Sequence, residues 1–243
     1  MSRWLPRAAS AHAGTIDMEL SIVHIVMLAL FAGWCAYFVW VLFRFRRGRQ
    51  PFADHAGTSG RVALYITAAV VLVEAVLLVG LSLPVWFQRQ GPPPADSRAV
   101  AVRVVAQQFA WNVHYPGADG QFGDTRPDLA SGENPVGLDR RSPHGADDIV
   151  TAVLHVPVGR QVVVQLTSKD VIHSFGLPNF RVKQDVIPGM IASVWFTPTV
   201  AGQFDIACSQ LCGLAHYRMR SYVVVETDDA FAKFLADEAS FIR

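Results

Sequence analysis

Two cysteines, a histidine and a methionine fall on one short stretch of this chain: Cys208-Ser209-Gln210-Leu211-Cys212, then Gly213, His216 and Met219. Thiolate, imidazole and thioether are soft or borderline ligands, and a set of this kind suits copper. The spacing argues against the common alternatives. Attachment of a c-type haem needs Cys-x-x-Cys-His and a thioredoxin-like redox pair needs Cys-x-x-Cys, and neither pattern occurs. A structural zinc site usually brings two short Cys/His pairs, whereas here the side-chain ligands crowd a single loop. Two bland alternatives stand beside copper: a chance cluster, and a disulfide between Cys208 and Cys212. In a domain outside the cytosol these thiols would risk oxidising to each other unless a metal held them as thiolates.

The cluster resembles the dinuclear copper A (CuA) loop of subunit II of haem-copper cytochrome c oxidases, whose pattern is Cys-x-x-x-Cys-x-x-x-His-x-x-Met. Cys208, Cys212, His216 and Met219 match each position. Upstream, Asp170-Val171-Ile172-His173-Ser174 is similar to the segment that carries that family's other imidazole. Lys183-Gln184-Asp185-Val186-Ile187-Pro188-Gly189 is similar to its Lys-x-Asp-x-Ile-Pro-Gly run. The resemblance implies a cupredoxin-like Greek-key barrel, with the copper loop joining the last two strands and His173 on a neighbouring loop. It also implies a copper pair bridged by Cys208 and Cys212, with His173 and His216 each capping one metal. Met219 is then the weak axial ligand of one copper, and the backbone carbonyl of Gln210 a ligand of the other. A pair that shares one electron over both metals and both sulfurs changes its bonds little between oxidation states.

The function so implied is electron input to a respiratory terminal oxidase. Electrons would pass from cytochrome c through this chain to haem in the catalytic subunit I, which reduces O2 to water in company with other oxidase subunits. Two other readings stay open: the CuA subunit of a nitric oxide reductase, and a membrane-tethered copper-binding or delivery protein. Many members of the family carry Glu between the cysteines, where it helps hold magnesium at the interface with the catalytic subunit. Gln210 stands there, and a neutral amide is a poorer magnesium ligand than a carboxylate. Magnesium at the subunit interface stays an open alternative, and copper is the expected cofactor. Gln108-Phe109-Ala110-Trp111 stands where the family has Gln-Trp-Tyr-Trp, whose first tryptophan receives electrons from cytochrome c. Phe109 takes that place, and Phe109 and Trp111 read either as an apolar contact for the donor or as strand core. Asp119, Asp124, Asp128, Asp147, Asp148 and Asp170 offer either an acidic face for a basic donor or a mixed solvated surface. His24, His55, His114, His144 and His155 carry no ligand pattern.

The elements that must position this loop divide into an apolar part and a β-rich part. A net charge of +1 gives no electrostatic reason for a nucleic-acid partner, while 51% hydrophobic residues point to membrane segments. Residues 1–90 read as a transmembrane hairpin with helices over about 20–43 and 62–87. The polar segment before Leu20 lacks a signal-peptide core, so the first helix is expected to be its own insertion signal. Between the helices lie Arg44, Arg46, Arg47, Arg49 and Arg61, against Arg3 and Arg7 ahead of the first. The positive-inside bias places this connector in the cytoplasm and the large C-terminal part on the periplasmic side of a bacterial inner (plasma) membrane. Glu74 is an acid about 18 Å along the second helix, read as a proton relay or as a hydrogen-bond anchor to the catalytic subunit.

Gly91 to Asp96 is a stiff, proline-rich linker. Beyond it, residues 97–227 are expected to form the all-β domain and 228–243 a C-terminal helix. Strands are expected at 100–105, 152–156, 161–166, 193–196, 203–207 and 221–225, where β-branched runs are punctuated by Pro and Gly. Residues 116–148 read as a long surface excursion.

Overall fold

The computed structural model describes residues 4–49, 52 and 60–242. Arg3 and His55 lie outside the described residues. The chain divides into two compact units: Thr15–Pro92, and a β-domain from Pro93 onward that also takes in the N-terminal segment up to Gly14.

The first unit is helical. Helix α1 spans Ala13–Arg44, α2 Arg61–Leu77, and α3 Leu83–Gln90, with a π-helical turn at Leu78–Ser82 joining the last two. Proline inside a helix lacks an N–H and crowds the carbonyl four residues back, and the widened turn just ahead of Pro84 accommodates this. The two helical stretches are 32 and 30 residues long, about 48 and 45 Å. Both are long and apolar enough to cross a hydrocarbon core of about 30 Å. Helix α1 starts at Ala13, ahead of the Leu20 expected from hydropathy. Hydropathy marks where a chain turns apolar, whereas the Ala-, Met-, Glu- and Leu-containing turns before it are good helix formers in their own right.

The second unit is a sandwich of two five-stranded sheets. One has the order β3-β2-β1-β5-β8, made by Ile149–Thr151, Ala110–Tyr115, Val100–Gln107, Val162–Ser168 and Ala192–Phe196. The other has the order β4-β10-β9-β6-β7, made by Leu154–Pro157, Arg220–Glu226, Gly202–Cys208, His173–Leu177 and Val182–Val186. Strands β1 and β5 run parallel, as do β4 and β10, while the other pairings are antiparallel. The inward faces bury Trp111, Tyr115, Leu166, Phe175, Leu177, Phe180, Phe196 and Ile206 between the sheets. This is the expected Greek-key, cupredoxin-like architecture. Helix α4, Asp228–Ser240, closes one end: Thr227 caps it, accepting from Ala230 N–H at 3.3 Å, and Phe231 is buried beneath it.

Strands β2, β3, β6 and β7 lie outside the runs that the sequence marks as strands. Strand β3 is only three residues long, and polar content hides the other three. Strand β2 buries Asn112 and His114, β6 buries His173 and Ser174 on both faces, and β7 carries Lys183, Gln184 and Asp185. His173 is therefore the first residue of a paired strand rather than a loop residue. It sits opposite Val186, and Phe175 sits opposite Cys208.

Two further attachments frame the domain. The segment ahead of α1 adds to its edge: Ala9 N–H donates to Asn179 O at 2.8 Å, Thr199 N–H to Ala9 O at 2.9 Å, and Ser10 Oγ to Phe180 O at 2.8 Å. The 116–148 excursion is pinned by a buried pair, His114 Nε2 and Asp148 Oδ2, 2.6 Å apart. Asp148 also accepts the N–H groups of Gly117 and Gly123. Burial pushes the His114 pKa down, against the opposing pull of Asp148. A depressed folded pKa means that the unfolded chain takes up the proton first. Stability from this group is therefore complete above about pH 6.5 and is lost as pH falls below it. Thermal unfolding of the outward domain from about pH 8 down to pH 5 should show this loss, and His114→Gln should flatten it.

Candidate metal centre

The copper loop hangs between two paired strands. Strand β9 ends at Cys208, residues 209–215 arch over, and a 3-10 turn, His216–Arg218, leads into β10. The loop is closed at its base, where Cys208 N–H donates to Met219 O at 3.1 Å and Ser209 N–H donates to Ser174 O at 3.0 Å. Strand β6 runs beside β9, which brings His173 from a distant part of the chain to the same end of the sheet.

The donor atoms converge there. Cys208 Sγ and Cys212 Sγ are 3.8 Å apart and not bonded to each other. His173 Nδ1 lies 3.1 Å from Met219 Sδ and 3.9 Å from Cys208 Sγ. Cys212 Sγ lies 3.5 Å from His216 Nδ1 and 3.7 Å from Met219 Sδ. The carbonyl oxygen of Gln210 is 3.2 Å from Cys208 Sγ. His173 is fully buried and Cys212 and Met219 nearly so, whereas Cys208 and His216 are half-buried and Gln210 is exposed. The ligand atoms of His173, Cys208 and Cys212 all lie within 4.8 Å of one another. A cluster of two sulfurs, imidazole and thioether, with one backbone carbonyl and no free side-chain carboxylate in the set, fits copper by its chemistry.

Burial, then the neighbouring Cys208 thiol, push the Cys212 thiol up to about 11. Asp170 is held below the ordinary carboxylate range. Burial opposes this, but the N–H groups of Gln108 and Val171 and the imidazole of His173 prevail. Asp170 Oδ1 stands 2.9 Å from His173 Nε2, which leaves Nδ1 facing the sulfurs. Trp111 meets the His173 ring edge-on, with centroids 6.2 Å apart.

The other sequence candidates are placed elsewhere. Trp111 is 2% exposed and belongs to the core, so it presents no surface to a docking donor. Phe109, in the β1–β2 turn, is half-buried and packs toward Gly213. Glu74 lies on α2 in the helical unit, one turn before the π-helical turn. Asp148 is buried under the excursion and contributes nothing to an acidic face, whereas Asp170 pairs with His173 and stays exposed. His144 pairs with Asp119 and His155 with Glu226. Sequence reasoning missed the contacts of Asp170 with His173 and of Gln108 with Asp170 and Cys212. A carboxylate three residues before His173 was a usable signal for the first, while nothing local marked the second.

Comparison with known proteins places these observations. The family description "Cytochrome C oxidase subunit II, periplasmic domain" matches residues 143–227. The alternative cytochrome c oxidase subunit 2 of Bradyrhizobium diazoefficiens is 37% identical over 98% of this chain and 84% of its own length. Cytochrome c oxidase subunit 2 of Cereibacter sphaeroides is 34% identical over 88% of this chain and 69% of its own. Among solved structures, the periplasmic domain of subunit II of cytochrome oxidase from Bradyrhizobium japonicum is 30% identical, covering 62% of this chain and 99% of that one at a TM-score of 0.46.

Proposed function

The chain belongs to the cytochrome c oxidase subunit II family, a component of an oxidoreductase complex, and from that premise we propose that it is the electron-input subunit of a respiratory terminal oxidase. It accepts electrons from cytochrome c at a dinuclear copper A centre and delivers them to haem in the catalytic subunit, where O2 becomes water. The observation that carries this reading is the convergence of Cys208, Cys212, His173, His216 and Met219 at the end of β6, β9 and β10. When bound, the copper pair supplies reversible one-electron chemistry with little change in geometry.

The residues divide the work. Cys208 and Cys212 would supply the two thiolates, His173 and His216 the imidazoles, and Met219 and the Gln210 carbonyl the weaker donors that hold the copper. The paired strands hold these atoms together, and the burial of His173, Cys212 and Met219 keeps water from them. Leu211, Leu214 and Tyr217 point outward from the same loop at 80%, 99% and 81% exposure. Such apolar side chains call for a covering partner, which we assign to the catalytic subunit. The two long apolar helices anchor the chain in the bacterial inner membrane with the β-domain on the periplasmic side. Glu74, an acid within the second of them, is assigned to contact with the catalytic subunit as relay or anchor. Gln210 offers an amide where a magnesium site needs a carboxylate, so magnesium is left out of this reading.

The purified complex should oxidise reduced cytochrome c while consuming O2. Consumption of NO instead would favour the nitric oxide reductase alternative, and isolation as a free chain with exchangeable copper would favour delivery. Copper uptake should also depend on pH. As a free thiol Cys212 titrates near about 11, so at neutral pH copper must displace protons from the site. Apparent copper affinity therefore rises with pH, and competition titrations at about pH 6 and pH 8 should give the weaker binding at the lower pH. Equal affinities would contradict thiolate ligation.

A further inference from the structure

Gln108 lies in the turn between β1 and β2, and that turn rests on the copper loop. Its backbone N–H donates to Asp170 Oδ2 at 2.6 Å, and its side-chain Nε2 donates to the carbonyl of Cys212 at 2.7 Å. The other oxygen of Asp170 stands 2.9 Å from His173 Nε2. One residue thus ties the backbone of a bridging cysteine to the carboxylate behind an imidazole. The approach is close enough to constrain its neighbour. Gly213 has φ +136°, and a Cβ there would lie 2.7 Å from Gln108 Nε2 and 3.1 Å from Phe109 Cζ. The side chains of Gln108 and Phe109 in the turn lie directly against the backbone of the loop.

We propose that Gln108 is a positioning residue for the copper centre. With Asp170 it forms a brace, running His173–Asp170–Gln108–Cys212, that fixes the spacing between the β6 imidazole and the copper loop. The proposal rests on the copper A reading and adds to it a residue that touches no metal. Groups behind the ligands orient them and tune the metal, and removing one typically costs about 10–100-fold in metal affinity. The brace spans three separate segments of chain, so cutting it at Gln108 frees the Cys212 peptide and the Asp170 carboxylate together. Both ends of the ligand set then lose their register.

The test uses the full oxidase complex carrying Gln108→Met, which keeps the length of the side chain and deletes its donor. Copper retention against a chelator should fall about 10-fold. The reduction potential and the copper hyperfine pattern should both move from wild type, which a purely structural residue would not require. Asp170→Asn should shift the same quantities, and the double variant should fall short of the sum, because both changes cut one brace. Loss of copper from an assembled Gln108→Met complex is the strong form of the same result. If that chain fails to assemble, Gln108→Asn, an amide one methylene short of the Cys212 carbonyl, is read by the same criteria. A wild-type potential, spectrum and copper retention in the variant, or additive effects in the double variant, overturn the brace alone. A wild-type complex without the signal of an electron shared by two coppers overturns the copper A reading and the brace with it.

Discussion

Serine in place of Cys212 lowers cytochrome c oxidation by the assembled complex more than about 100-fold, beyond the range typical of residues that merely orient a ligand. Cys212 Sγ is the hub of the cluster, within 3.8 Å of Cys208 Sγ, His216 Nδ1 and Met219 Sδ. A hydroxyl has the shape to replace the thiol but not the chemistry. It stays protonated where a thiol can ionise, and its oxygen is a harder donor than copper of this kind prefers. The loss should appear in electron transfer from cytochrome c to haem, while direct reduction of the haem by a small-molecule donor is spared. Near-normal transfer in Cys212→Ser would remove the bridging role.

Trp111→Ala should have the largest effect on stability, about 3–5 kcal/mol out of a total that for single domains is commonly about 5–15. The indole is 2% exposed and packs against Phe175 with ring centroids 5.5 Å apart, as well as against His173. Its removal opens a cavity beside His173, so the denaturation midpoint of the β-domain and its copper retention should fall together. Trp111→Phe is expected to lose much less. The indole Nε1–H is buried with no hydrogen-bond partner among the described residues, and phenylalanine discards that uncompensated donor. A domain of wild-type stability with alanine at 111 would show that the two sheets do not depend on this contact.

What could be read from the sequence was what is local. The Cys-x-x-x-Cys-x-x-x-His-x-x-Met spacing lies within one loop, and the two apolar stretches announce long helices whatever the rest of the chain does. The β-branched runs of β1, β5 and β10 signal strands in the same way. The remainder is tertiary. Strands β2 and β6 bury polar residues because their partners arrive from elsewhere: Asp148 for His114, Met219 and Asp170 for His173. Gln108 is separated by 62 residues from Asp170 and by 104 from Cys212, so no window along the chain contains the brace. Trp111 shows the same limit. An aromatic in a strand can face a donor or the core, and only the pairing of β2 with β1 and β3 decides for the core.

The most direct test of the account is the electron paramagnetic resonance spectrum of the outward domain loaded with copper and partly oxidised. The account predicts a pair of copper ions and hyperfine splitting from one electron divided equally between two nuclei. A single bound ion with a localised electron, or a Cys208–Cys212 disulfide in the native assembly, would contradict it.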